Sequence, residues 1–171
     1  MNKKTSLQRL CSGAVIAAFY TVLTYLSSAL GLAYGAIQFR LSEALCVLPL
    51  FSGWSVVGLS VGCILGNLAS PFGFWDILFG TAATLSAGIL TNKCKNLNLK
   101  GIPILSLMFP VLFNALLVGL EVAFLVDGEF LPLFSITFLE VFIGEGAVIF
   151  ALGLPLYLFC KKSKHLGKFL K

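Results

Sequence analysis

Charge is scarce in this chain. Seven acidic and twelve basic residues make up 11% of its 171 positions, against about a quarter in a soluble domain. Hydrophobic residues reach 58% and the mean hydropathy is +1.00. Together these values exclude a surface that faces water. A chain of this length makes one domain, spanning 1–171, whose apolar surface must be covered by lipid. Histidine is nearly missing. The single His165 lies in a basic tail, which removes any zinc-binding histidine pair. The five cysteines, Cys11, Cys46, Cys63, Cys94 and Cys160, have no C-x-x-C or other metal spacing and read as small apolar residues in or near helices. There is no G-x-x-x-x-G-K-[ST] phosphate loop, so the chain cannot power itself with ATP by that route, and no nucleophile elbow. No cofactor is implied.

Long apolar runs are what the sequence does have. A helix needs about 20 apolar residues to cross the hydrocarbon core. Five runs are plain: 10–32, 54–69, 75–92, 103–126 and 133–160, the last interrupted by Pro155. Lys3, Lys4 and Arg9 imitate the charged start of a signal peptide, but the run after them is too long for one and reads as a first span. The stretch 40–52 is short, and Pro49, Ser52 and Gly53 set it apart from the next run. It is either re-entrant, fused to 54–69 as a kinked span, or a span of its own. Charge decides. Basic residues cluster at Lys3/Lys4/Arg9, at Lys93/Lys95/Lys100 and from Lys161 to Lys171, and basic loops stay in the cytoplasm. Six spans place all three clusters there, whereas five put two of them outside. The expectation is therefore an all-α integral membrane protein, a compact bundle of six transmembrane helices with both termini cytoplasmic. It would sit in the cell membrane with outer loops at 33–39, 70–74 and 127–132. The net charge of +5 follows from topology, so nucleic acid is not expected as a partner.

Small residues mark where helices can touch in lipid. Gly58, Gly62 and Gly66 recur every four residues in the third span, Gly80, Thr84 and Gly88 in the fourth, and Ala115, Gly119 and Ala123 in the fifth. Internal packing accounts for these. The first span carries Gly13/Ala17 and Ala14/Ala18 near its cytoplasmic end, just after Arg9, and this small face either packs internally or docks another membrane subunit.

Polar residues inside membrane helices cost enough to be functional candidates. Gln38, Arg40 and Glu43 open the second span at its outer side, and Asn67 closes the third there. Trp75 and Asp76 open the fourth, Glu121 lies in the outer part of the fifth and Glu140 in the outer third of the sixth. Asn114 and Glu121, seven apart, share one face of the fifth span. A pocket opening outward collects nearly all of them. Simpler readings stand beside this one. Arg40 and Glu43 can pair with each other, Asp76 can serve as a charge at a helix N-terminus, Glu121 can be approaching the interface, and Trp75 can be an interfacial anchor. Glu145 lies about 140° around the helix from Glu140, which separates it from that centre and suggests a structural or partner role.

The run Ala36-Ile37-Gln38-Phe39-Arg40-Leu41-Ser42-Glu43-Ala44-Leu45, followed by Val47-Leu48-Pro49, resembles the QueT family. So do Ala14 to Leu23, Gly62 to Leu68, Trp75 to Thr81 and Asn114-Ala115. These are substrate-binding S components of energy-coupling-factor (ECF) transporters, assigned to queuosine precursors. The resemblance implies a six-helix fold, transport rather than catalysis, and a docking motif at Ala14 and Ala18. It also implies partners: a transmembrane coupling subunit and two cytoplasmic ATPase subunits, which would account for the missing phosphate loop. The ligand would be a 7-deazaguanine. Its N1–H and 2-amino group are paired donors that a carboxylate can accept together, and its flat ring would stack on an aromatic such as Trp75, Tyr34, Phe39 or Phe72. Glu43 is the first choice for reading the base. An S component for another small vitamin-like molecule, a membrane-embedded enzyme and a ligand-free assembly subunit are the competing readings.

Overall fold

A computed structural model describes residues 3–33, 38–97 and 101–163. Among them the chain is helical, without a strand. The order is α1 (Lys3–Ala29), a 3-10 segment (Leu41–Leu50), α2 (Trp54–Gly66) with a final 3-10 turn (Asn67–Ala69), α3 (Phe74–Lys93), α4 (Ile104–Leu125), α5 (Phe130–Val148), a π turn (Ile149–Gly153) and α6 (Leu154–Lys162). Residues Ser6–Ala29, Phe74–Lys93, Ile104–Leu125 and the continuous run Phe130–Lys162 are long and apolar enough to cross a membrane, while Leu41–Leu50 and Trp54–Ala69 are shorter apolar helices. The protein is thus an all-α multi-pass membrane protein, and its helical runs follow the expected ones closely. The uncertain second run is neither fused to the third nor α-helical.

Pro155 does not break the last run. Proline removes one backbone donor and crowds the preceding turn. The helix widens into the π turn just before it and then continues, the usual way such a mismatch is absorbed.

The 3-10 segment forms the centre of the bundle. It touches α1, α2, α3, α4, α5, the π turn and α6, and eight of its ten residues are buried. At about 2.0 Å per residue it extends about 20 Å, where an α-helix of ten residues would reach about 15 Å. That extra length lets ten residues cover most of the bundle's depth. Leu41 N–H donates to Ser27 Oγ at 2.9 Å, and at the other end Asn92 Nδ2 donates to the Pro49 carbonyl at 2.6 Å. The segment is flanked closely by the π turn: a Cβ at Gly153 would lie 2.9 Å from Val47 Cγ1 and 3.3 Å from the Ala44 carbonyl.

The small ridges pack internally, as their spacing suggested. A Cβ at Gly58 would lie 2.6 Å from the Gly13 carbonyl, one at Gly62 2.9 Å from the Ala17 carbonyl, and one at Gly66 3.0 Å from the Thr24 side chain, so α2 lies backbone to backbone on α1. Gly88 faces Val56, and Gly119 faces Phe134. The second ridge of α1 is different: Ala14 and Ala18 are exposed while Ala17 is buried.

Apart from the buried Arg40, the described basic residues gather at one end of the bundle. Arg9 shares a groove with Trp54, Gly53 abuts Asn92, next to Lys93, and Lys161 Nζ donates to the Gly101 carbonyl at 3.1 Å. Lys100, His165 and the tail after Ser163 lie outside the described residues.

Candidate ligand-binding site

Two levels of buried polar side chains lie in the half of the bundle away from the basic end. The nearer to the opposite end is built on Arg40, which caps the 3-10 segment. Its Nη1 donates to Asn67 Oδ1 at 3.2 Å and its Nε to the Ala33 carbonyl at 3.4 Å. Asn67, where α2 gives way to its 3-10 turn, in turn donates from Nδ2 to the Asp76 carbonyl at 2.9 Å. Gly80 makes room for that amide, since a Cβ there would stand 2.7 Å from Asn67 Nδ2. Asp76, in the first turn of α3, and Glu121 of α4 approach one another and both feel the Arg40 charge. The two carboxyls lie within hydrogen-bond reach of each other if one carries a proton, and among the described residues no other group bonds either Glu121 oxygen or Asp76 Oδ2.

The deeper level centres on Glu43. Its Oε1 accepts from the Tyr20 hydroxyl. Its Oε2 accepts from Asn114 Nδ2 at 3.2 Å and from the Cys46 thiol at 3.0 Å. Glu145 of α5 faces Glu43 and Asn114, and its Oε2 lacks a partner among the described residues. The 3-10 geometry explains part of this set. Side chains three apart eclipse, so Arg40, Glu43 and Cys46 form one ridge. Seven residues of α4 separate Asn114 from Glu121, which puts the two levels about 10 Å apart.

The exposures of Glu43 (2%), Asp76 (4%), Glu121 (0%) and Glu145 (3%) make all four carboxyls interior groups, with Arg40 (5%) among them. A charge held away from water needs a partner. Two facing carboxyls are stable together only with a cation or a shared proton between them. The arrangement therefore presents acceptors either to a shared proton or to a small donor-rich or cationic molecule.

The structure brings together Arg40, Glu43, Asn67, Asp76, Asn114 and Glu121 of the expected set. It leaves Trp75 outside: the ring is 45% exposed and packs against Phe74 at 6.0 Å and Phe79 at 6.3 Å on the outer side of α3. Gln38 and Phe39 are half-buried, Phe72 is exposed, and Tyr34 lies outside the described residues. Glu140 is half-buried, and the acid of α5 that meets Asn114 is Glu145. The separation of these two glutamates around the helix is as expected, but the one facing the centre is the other one. Glu121 is sealed inside rather than approaching an interface, and Arg40 and Glu43 each have partners on other helices.

Sequence reasoning also missed Tyr20, which positions Glu43, and Thr24, whose hydroxyl is 2.9 Å from Ser42 Oγ. A signal was present. Tyr20, Thr24 and Ser27 are spaced by four and three, a polar stripe on one face of an otherwise apolar helix, and all three are buried.

A family model described as "QueT transporter" matches residues 10–162. A curated relative, the queuosine precursor transporter QueT of Lactococcus lactis subsp. cremoris (strain MG1363), is 33% identical over 91 residues, which is 52% of this chain and 53% of the relative. The aligned part thus spans about half the length of that protein. No solved structure matches.

Proposed function

The chain belongs to the QueT transporter family, and from that membership we propose that it is the substrate-binding S component of an ECF transporter that imports a queuosine precursor. QueT is a transporter family rather than an enzyme family. The basic end faces the cytoplasm, in keeping with the positive-inside rule, and the protein resides in the cell membrane. The two polar levels then lie in the outer half of the bilayer, where an imported molecule arrives.

The observation that carries this reading is the interior polar column of Arg40, Glu43, Asn67, Asp76, Asn114, Glu121 and Glu145 inside a chain whose other surfaces suit lipid. Intramembrane ionisable groups are retained where they serve a ligand or a path. A 7-deazaguanine suits the column. Glu43 is oriented by Tyr20 and Asn114 and, with Cys46 taking a third acceptor site of about four, keeps one for a donor of the base edge. Arg40 supplies donors for a carbonyl oxygen. Transport energy comes from partners, a membrane coupling subunit and two ATPases. Ala14, in a groove with Gly13, Trp54 and Val61, and Ala18, in a second one with Val15, Phe19 and Val22, are both exposed on α1 and form the surface for the coupling subunit.

Mass spectrometry of small molecules retained through purification tests the reading. The expected result is a 7-deazaguanine at close to one per chain. A different vitamin-like molecule bound at that ratio, or failure of every 7-deazaguanine to bind on titration, would overturn it.

A further inference from the structure

The basic end of the α1–α2 pair carries a groove of about 210 Å³ that the polar column does not use. Small residues make its floor. A Cβ at Gly58 would lie 2.6 Å from the Gly13 carbonyl, so the two backbones meet there, and Ala14 and Ala17 continue the floor along α1. Trp54, Val57 and Val61 of α2 make the wall, and all three are exposed. Between residues 9 and 17 α1 advances about 12 Å, most of one leaflet of a hydrocarbon core about 30 Å thick. An acyl chain follows such a furrow. A helix, about 10 Å across, covers it without filling it.

One end of the groove is not apolar in chemistry. Arg9 lines it there, and its Nε is buried with no hydrogen-bond partner among the described residues. A buried donor without an acceptor costs the desolvation of the group, and a partner from outside the chain would remove that cost. Trp54, beside it, is a residue type that settles at the level of lipid headgroups. The occupant that suits both parts is apolar over about 12 Å and negative at one end.

We propose that an anionic phospholipid of the cytoplasmic leaflet occupies this groove in the free chain, with its phosphate on Arg9 and an acyl chain along Gly13, Ala14 and Ala17. This rests on the orientation given under the proposed function. The planar guanidinium fork matches phosphate oxygens, and basic pockets between membrane helices on the cytoplasmic side suit negative headgroups. Lys93, Lys161 and Lys162 close α3 and α6 at the same end, so a zwitterionic lipid would bring its own cation to a surface that is already basic. Ala14 belongs both to this groove and to the surface proposed for the coupling subunit. Lipid and subunit therefore exclude one another, and docking requires the lipid to leave.

The test is native mass spectrometry of the purified full chain, titrated with palmitoyl-oleoyl phosphatidylglycerol and with phosphatidylcholine of the same acyl chains. One phosphatidylglycerol per chain is expected, bound about fivefold more tightly than phosphatidylcholine, the effect of one basic residue near a negative headgroup. In Arg9→Gln the preference should fall below about twofold, while Lys161→Gln, at the same end but outside the groove, keeps it. Ala14→Leu fills the groove and should weaken both lipids. Equal affinity of the parent for the two lipids, a comparison that needs no variant to fold, would overturn the proposal. So would full lipid binding by Ala14→Leu, or equal loss of preference in Lys161→Gln and Arg9→Gln. A lipid-free dimer would give the groove to a second copy of the chain and overturn it as well. Neither lipid reaches the polar column, so each of these failures leaves the transport reading standing.

Discussion

Glu43 and Glu140 are both acids inside apolar runs, and only their surroundings separate them. Glu43 is held by Tyr20, Cys46 and Asn114 and is buried. Glu140 is half-buried on α5. Removing one charged partner of a buried hydrogen bond costs roughly 2–5 kcal/mol, and about 1.4 kcal/mol is a factor of ten. Glu43→Gln should therefore weaken ligand binding well over tenfold, because the amide presents a donor where the Tyr20 hydroxyl and the ligand also present donors. Glu140→Gln should bind within about twofold of the parent, a ratio well inside 1 kcal/mol. Isothermal titration of both variants decides it, and the reverse order would move the site to another face of α5. The sequence marked both residues as costly but could not rank them. The few polar residues of α5, Ser135, Thr137, Glu140 and Glu145, are spread around it, so no single polar face reveals which way it turns.

At the scale of elements, the α1–α2 pair and the 3-10 segment set the site. A Cβ at Gly62 would lie 2.7 Å from Tyr20 Cβ and 2.9 Å from the Ala17 carbonyl, so Gly62→Ala must push α1 away and carry the Tyr20 hydroxyl from Glu43. Overpacking of this kind costs about 1–3 kcal/mol. The expected outcome is a lowered unfolding temperature in detergent together with weakened ligand binding. Gly146→Ala is the control, since the nearest atom to its Cβ is Val111 Cγ1 at 4.0 Å; it should leave both measurements at parental values or slightly above. Equal behaviour of the two variants would show that the α1–α2 contact does not position Glu43. The glycine spacing was legible in the sequence and pointed correctly to close packing. The 3-10 winding was not, because periodicity over ten mostly apolar residues around Pro49 does not distinguish 3.0 from 3.6 residues per turn.

At the scale of the whole molecule, orientation and partners are at stake. In a cysteine-free background, cysteines placed at 96 and 130 should react with a membrane-impermeant reagent from opposite sides, position 130 from the outside of intact cells. Labelling of both from one side would contradict the six-span topology. The two ridges of α1 lead to a separate result. Gly13 and Ala17 face α2, whereas Ala14 and Ala18 face outward. Bulky residues at Ala14 and Ala18 should therefore abolish uptake in cells while calorimetric binding by the isolated chain stays within about twofold of the parent, again well inside 1 kcal/mol. Loss of binding along with uptake would mean that this ridge is needed for the bundle itself.

The sequence by itself determined the class of the protein, its helical runs and the family. Those depend on quantities that survive in one dimension: the length of apolar stretches, the count of charges between them, and a short motif around Arg40 and Glu43. It also placed Asn114 and Glu121 on a common face, since two turns of helix fix that relation. Only the tertiary structure decided which acids meet. Glu145 rather than Glu140 reaches Asn114, Tyr20 positions Glu43 from 23 residues away, and Trp75 turns outward beside Asp76, which turns in. The physical reason is rotational. In a helix exposed to lipid on one side and to protein on the other, both surroundings are apolar, so hydropathy carries no information about facing. The choice is made by which backbones can approach, at Gly13 and Gly58, at Ala17 and Gly62, and at Gly153 and Ala44.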